Sequence, residues 1–173
     1  MITLSRLKNQ LLARAATRFP ILARKFTDSY TPRASAGRVP WAPPAVPLAQ
    51  ATLALITTAG IHHRQQPPFD MSDSDGDPSY RELDSATLFD DFVITHDYYN
   101  HSSADKDPNI ILPLDRLKEL VDEQILGSSA RTHYSFMGHI DGPHIDTLIH
   151  HTAVEVAHKL RAQNVDIALL TPG

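Results

Sequence analysis

Apolar positions along the chain follow two different periods. From Ala51 to Gly60 the run Ala-Thr-Leu-Ala-Leu-Ile-Thr-Thr-Ala-Gly is almost continuously apolar and closes on small residues. That pattern predicts a strand buried on both faces of a mainly parallel sheet. Val165–Leu170 repeats it and predicts a second buried strand, followed by Thr171-Pro172-Gly173. Shorter strands are predicted at Tyr80–Leu83, Phe92–Thr95 and Thr132–Met137. Elsewhere the apolar residues return every three or four positions. Leu114, Leu117, Leu120 and Val121 predict one amphipathic helix. Ile145, Leu148, Ile149, Thr152, Val156 and Leu160 predict a longer one of about five turns. Strands separated by helices predict a layered α/β fold, Rossmann-like, with a largely parallel sheet.

The flanks read differently. Residues 1–30 form an amphipathic helical segment in which Leu4, Leu7, Leu11, Ala15, Phe19 and Leu22 make one stripe, expected to pack on a neighbouring surface, with a kink at Pro20. Residues 31–50 contain Pro32, Pro40, Pro43, Pro44 and Pro47 and predict an extended connector, pinned by Trp41. Residues 51–173 are then the α/β domain. Within it, Ile61–Pro78 has no periodicity and is predicted to be a long loop carrying Asp70, Asp73, Asp75 and Asp77.

Composition narrows the function classes. The 173 residues contain no cysteine, which excludes disulfides, thiolate catalysis and zinc-thiolate or iron–sulfur sites built from this sequence. No apolar run reaches the roughly 18–20 residues of a membrane span. The net charge of −4 is mild and by itself implies no nucleic-acid partner; with no spanning run no membrane partner is expected, and a cytoplasmic protein is. The charge is nonetheless uneven. Up to Arg38 eight basic residues face one acid, Asp28, a surplus of seven that leaves −11 in the remainder. An Arg-rich, acid-poor start also fits an organelle transit peptide, although a surface helix is the expected reading.

Ten histidines are the most conspicuous enrichment. They group as His62/His63, His96/His101, His139/His144 and His150/His151/His158, none with the His-Glu-x-x-His spacing of zinc hydrolases. Hydrogen-bonded or solvated histidines and no metal are expected, with a histidine-based metal hydrolase as one alternative. Asp73-x-Asp75-Gly76-Asp77 lacks the sixth-position glycine and closing glutamate of a calcium loop and is read as an acidic turn. No G-x-S-x-G, P-loop or G-x-G-x-x-G occurs. What remains is positional. Open α/β sheets bind ligands beyond the carboxyl ends of their strands. Here the two apolar strands end on Thr57-Thr58-Ala59-Gly60 and on Thr171-Pro172-Gly173, and the His96–His101 loop is expected to join them.

Several ordered segments carry a resemblance. They are Val39-Pro40-Trp41-Ala42-Pro43, Leu53 to Gly60, His62, Gln66-Pro67-Pro68-Phe69-Asp70 and Gly76-Asp77-Pro78-Ser79-Tyr80-Arg81. His96 with Tyr99, Asp105-Lys106-Asp107-Pro108-Asn109, Leu112 to Leu117, Ser135-Phe136-Met137-Gly138 and the closing strand continue the set. From about Tyr30 onward the chain resembles the short bacterial members of the selenoprotein B family of glycine/sarcosine/betaine/D-proline reductases, as does its Arg-rich start.

The resemblance implies an oxidoreductase that cleaves a carbon–nitrogen bond reductively. A selenolate or thiolate attacks the small-molecule substrate while a pyruvoyl group on a partner subunit holds the amine. A selenolate suits this task because it is ionised and nucleophilic at neutral pH. A nearby thiol would resolve the resulting mixed selenide-sulfide. It further implies that Thr171, Pro172 and Gly173 approach the redox residue, that Thr57, Thr58, Ala59, Gly60 and His62 shape the substrate pocket, and that His96 and Tyr99 orient or protonate the substrate. Asp107 and Asp115 are expected to cap turns and helices instead. The sequence departs from the family in having neither selenocysteine nor cysteine. It is therefore expected to be an N-terminal part, incomplete at the C-terminus, that stops where a UGA selenocysteine codon follows Gly173 and that lacks reductase activity alone. A non-catalytic binding or scaffold homologue is the other alternative.

Overall fold

The computed structural model describes residues 4–19, 21, 24 and 42–173. The expectations for Pro20, Leu22, Trp41 and most of the proline-rich connector lie outside the described residues. The chain divides into two compact units. One contains helix α1 (Leu4–Arg18) and Asp97–Asn100. The other contains Pro44–His96 and His101–Gly173.

The second unit is an α/β fold built around β1 (Thr52–Thr57), in which Ala54 and Leu55 are fully buried. Ile56 and Thr57 pair in parallel with Tyr134 and Ser135 of β6 (Thr132–Phe136), and with Leu170 and Thr171 of β7 (Ile167–Thr171). β1 therefore lies between β6 and β7. On the β6 side, the short β5 (Ser128–Ser129) pairs in parallel with Thr52 and Leu53. β3 (Tyr80–Asp84) adds antiparallel to the far edge of β6. The sheet is thus mixed, its parallel part confined to the strands around β1. The strand predicted at Phe92–Thr95 forms as β4 (Phe92–Ile94), but in a separate antiparallel pair with β2 (Ile61–His63), a strand inside the stretch read as loop.

The passage from β5 to β6 has a local cause. The β1 partners are offset by Ala130 and Arg131, which interrupt the ladder opposite Leu55. The Leu55 N–H then donates to Nδ1 of His133 at 3.0 Å, so a side chain completes what the backbone cannot. His133 is fully buried, and burial holds its pKa down at about 4.

Helix α2 (Leu114–Asp122) forms as its periodicity predicts and buries Leu117. The longer helix is interrupted. It runs as α3 (His144–Thr147), a π turn (Leu148–Thr152) and α4 (Ala153–Ala162). Within this wider turn Ile149 is exposed instead of joining the core stripe. Val156 and Leu160, one turn apart, pack on Ala54, Ala130, Tyr134 and Phe136 as a core cluster.

Two expectations are corrected. β7 is not a buried strand. Among the described residues it pairs only with β1, and Leu169 and Leu170 are 44% and 68% exposed. The α1 leucines are likewise not packed away, with Leu4, Leu7 and Leu11 all exposed. Amphipathic patterning identified both elements, but whether a neighbour covers an apolar face is decided elsewhere in the molecule.

Candidate functional site at the strand ends

The residues at the carboxyl ends of β1, β6 and β7 meet. The Thr58 N–H donates to the Thr171 carbonyl at 3.0 Å, and the Gly173 N–H reaches Thr58 Oγ1 at 3.3 Å. Gly173 lies so close to Ala59 that a Cβ on it would stand 2.3 Å from the Ala59 Cα. Ala59 bridges to Met137, and the Gly60 N–H donates to the Phe136 carbonyl at 3.0 Å. Pro172 completes the turn without a donor. Thr57 to Gly60 and Thr171 to Gly173, singled out in the sequence, are therefore one structural cluster.

Sheet register places Arg81, Ser135, Thr57 and Thr171 in a single row across β3, β6, β1 and β7. Three neighbouring residues of this row carry hydroxyls. Thr57 Oγ1 accepts from the Ala59 N–H at 3.2 Å, and Thr171 Oγ1 donates to the Ile111 carbonyl at 2.7 Å. Ser135 Oγ is buried without a hydrogen-bond partner among the described residues. Its role was not legible in the sequence, where Ser135 entered only as part of a four-residue likeness.

His96 closes the cluster. It is 5% exposed and sits where the turns after β1 and β6 both lack a side chain. A Cβ on Gly138 would come 3.0 Å from its Nε2, and one on Gly60 would come 3.0 Å from its Cβ. Gly60 also has φ +67°, a left-handed conformation suited to glycine. The Thr95 N–H donates to the Gly60 carbonyl at 2.9 Å and fixes this approach.

His62 is braced as a neutral ring. Its Nδ1 donates to the His63 carbonyl at 2.8 Å, so Nε2 accepts from Thr95 Oγ1 at 2.9 Å. Burial lowers its pKa. Tyr99 is half-buried and belongs to the unit that holds α1. His101 engages Asp105 at 2.9 Å. Asp107 accepts from the Asn109 N–H as the expected turn cap, whereas Asp115 does not cap α2: its N–H donates to Asn109 Oδ1 and its carboxylate accepts from Asn109 Nδ2.

The acidic loop is tied down through its own turns and two histidines. Asp73 Oδ1 accepts from the Asp75 N–H, His144 Nε2 meets Asp73 Oδ2 at 3.0 Å, and His139 Nε2 donates to the Ser74 carbonyl at 2.8 Å. Hydrogen bonds hold the Asp70 and Asp73 carboxyls below the usual carboxylate range. Among the described residues no three His, Asp or Glu side chains converge as metal ligands. A surface depression of about 720 Å³ lies at the other end of the parallel strands, between Thr52, Asp84, Ser128 and Arg131. We place the candidate site at the strand ends, because the depression is open surface while the strand ends hold a buried, unpaired hydroxyl and a buried imidazole.

Comparison with known proteins identifies the family of the chain. The glycine/sarcosine/betaine reductase selenoprotein B family matches residues 20–173. D-proline reductase subunit gamma of Acetoanaerobium sticklandii is 30% identical over 133 residues, 77% of this chain and 53% of that protein. Glycine reductase complex component B subunit gamma of Symbiobacterium thermophilum is 30% identical over 149 residues, 84% of this chain and 34% of its own length. Sarcosine reductase complex component B subunit beta of Peptoclostridium acidaminophilum is 30% identical over 118 residues, 66% of this chain and 26% of its own. The chain thus spans about half or less of the length of these relatives. No solved structure matches. The strand-end cluster of Thr57–Gly60, Ser135, Gly138 and Thr171–Gly173 accordingly lies in the matched region of a chain that belongs to the glycine/sarcosine/betaine reductase selenoprotein B family.

Proposed function

We propose that this chain forms the substrate-side wall of a reductase that cleaves the carbon–nitrogen bond of a small amino acid or N-methylated amine. The observation that carries this reading is the row of hydroxyls on Thr57, Ser135 and Thr171, closed by His96, at the carboxyl ends of the parallel strands of a mixed sheet. Ser135 Oγ has hydrogen-bonding capacity to offer, and the imidazole of His96 can hold or move a proton. His62 is the further positioning residue of this reading.

The described residues supply hydroxyls and imidazoles, and the sequence supplies no thiol. The selenolate or thiolate nucleophile therefore comes from outside these 173 residues, and a pyruvoyl-bearing partner subunit would supply the electrophile that holds the amine. By itself the chain is expected to show no turnover with a dithiol. The test is chemical-shift mapping of the full chain titrated with D-proline, glycine and sarcosine. At least one should shift residues 57–60, 135–138 and 171–173, and Thr57→Val with Ser135→Ala should weaken it at least about tenfold. Shifts confined to the depression around Asp84 and Arg131, or no shifts, would remove this reading. The missing cysteine favours one second reading, a binding homologue without chemistry. Ligand binding with no turnover after a selenol-bearing component and a pyruvoyl subunit are added would select it.

A further inference from the structure

The element that the strand-end site leaves unused is α1. Its 15 residues contain Arg6, Lys8, Arg14 and Arg18 and no acid. Arg6 Nε donates to Asp97 Oδ2 at 2.5 Å and Gln10 Nε2 to Asp97 Oδ1 at 2.8 Å. These two side chains, four residues apart, fix one side of the helix against Asp97. At about 100° per residue, Leu4, Leu7, Leu11 and Ala15 project roughly 120° around the helix from them. There they line an apolar groove with Lys8 and Leu12, and the four leucines are 46–85% exposed. An orientation that spends its polar contacts on Asp97 and turns its leucines outward calls for an apolar occupant.

Charge and spacing select among occupants. A second copy packed through a leucine seam would continue from Leu4, Leu7 and Leu11 onto Arg14 and Arg18, placing like charges where a coiled coil needs apolar residues. The same basic residues suit an anionic lipid surface. Lys8 beside the stripe, and Arg14 and Arg18 continuing it beyond Leu11, can extend their stems along the leucines and set their charges among phosphates. The helix is about 22 Å long, short of the roughly 30 Å of a hydrocarbon core. Among the described residues no helix is long and apolar enough to cross a membrane. We propose that α1 docks in the plane of an anionic membrane surface, with Leu4, Leu7 and Leu11 in the acyl boundary and Lys8, Arg14 and Arg18 on lipid phosphates. The sequence expectation of no membrane partner rested on the lack of a spanning run, which an interfacial helix does not require.

The experiment is flotation of the full chain with vesicles of phosphatidylcholine alone and of phosphatidylcholine with phosphatidylglycerol, at low and high salt. Binding to the anionic vesicles should exceed binding to the neutral ones at least about tenfold and fall at high salt. Leu7→Glu with Leu11→Glu, and separately Arg14→Glu with Arg18→Glu, should each abolish it. These side chains are exposed, and an unchanged thermal midpoint would show that the α/β unit is intact. Leu11→Ala, which adds no charge, should weaken binding by a smaller factor. Failure to float with anionic vesicles overturns the proposal. So does flotation that survives Leu7→Glu with Leu11→Glu. A vesicle-independent dimer broken by that double variant would instead assign the groove to a second copy.

Discussion

His96 and Gly138 share one volume: a Cβ at position 138 would come 3.0 Å from His96 Nε2 and 2.7 Å from the Thr58 carbonyl oxygen. The turn after β6 can approach the end of β1 only because it carries no side chain, and the buried imidazole fills the space left over. Gly138→Ala should therefore cost about 1–3 kcal/mol, since the backbone oxygen cannot give way as a flexible side chain would. It should also displace His96. Urea unfolding measures the first effect and the His96 ring resonances the second; an unchanged midpoint and unchanged resonances would refute the contact.

His133 makes stability depend on pH. Its pKa is about 4 in the folded chain, against about 6.5 in an unfolded one. Between those values the unfolded state binds the proton more readily, so stability falls as the pH drops from about 6.5 towards 4, by an amount on the order of 3 kcal/mol. Protonation would also require Nδ1 to release the Leu55 N–H. His62, whose pKa burial also lowers, changes stability in the same direction. His133→Asn retains an acceptor near the Nδ1 position without a titrating group. Denaturant unfolding of both proteins across this range should show a steeper decline for the wild type, and parallel profiles would exclude His133 as the cause.

β7 presents an uncharged strand, Ile167-Ala-Leu-Leu-Thr171, with Leu169 and Leu170 exposed. Such an edge is a template for pairing with other chains. Leu170→Lys should leave stability within about 0.5 kcal/mol, as for most surface changes, and reduce self-association. Light scattering over a range of protein concentration reads the second effect. Equal scattering by both proteins would show that the edge does not drive association.

The sequence by itself determined which segments form elements and where chemistry could concentrate. Continuous apolarity identified β1, helical spacing identified α2, and small residues after each apolar strand identified Thr57–Gly60 and Thr171–Gly173, because these features depend on local backbone preference and side-chain size. The tertiary structure alone decided what lies beside what. It set Ser135 in register with Thr57 and Thr171, completed the β1 ladder through His133 and lodged His96 against Gly138, since strand register and close packing join residues far apart in the chain. It also left β7 and the leucines of α1 open, because burial depends on the neighbours that an element finds. The sequence of the element cannot specify them.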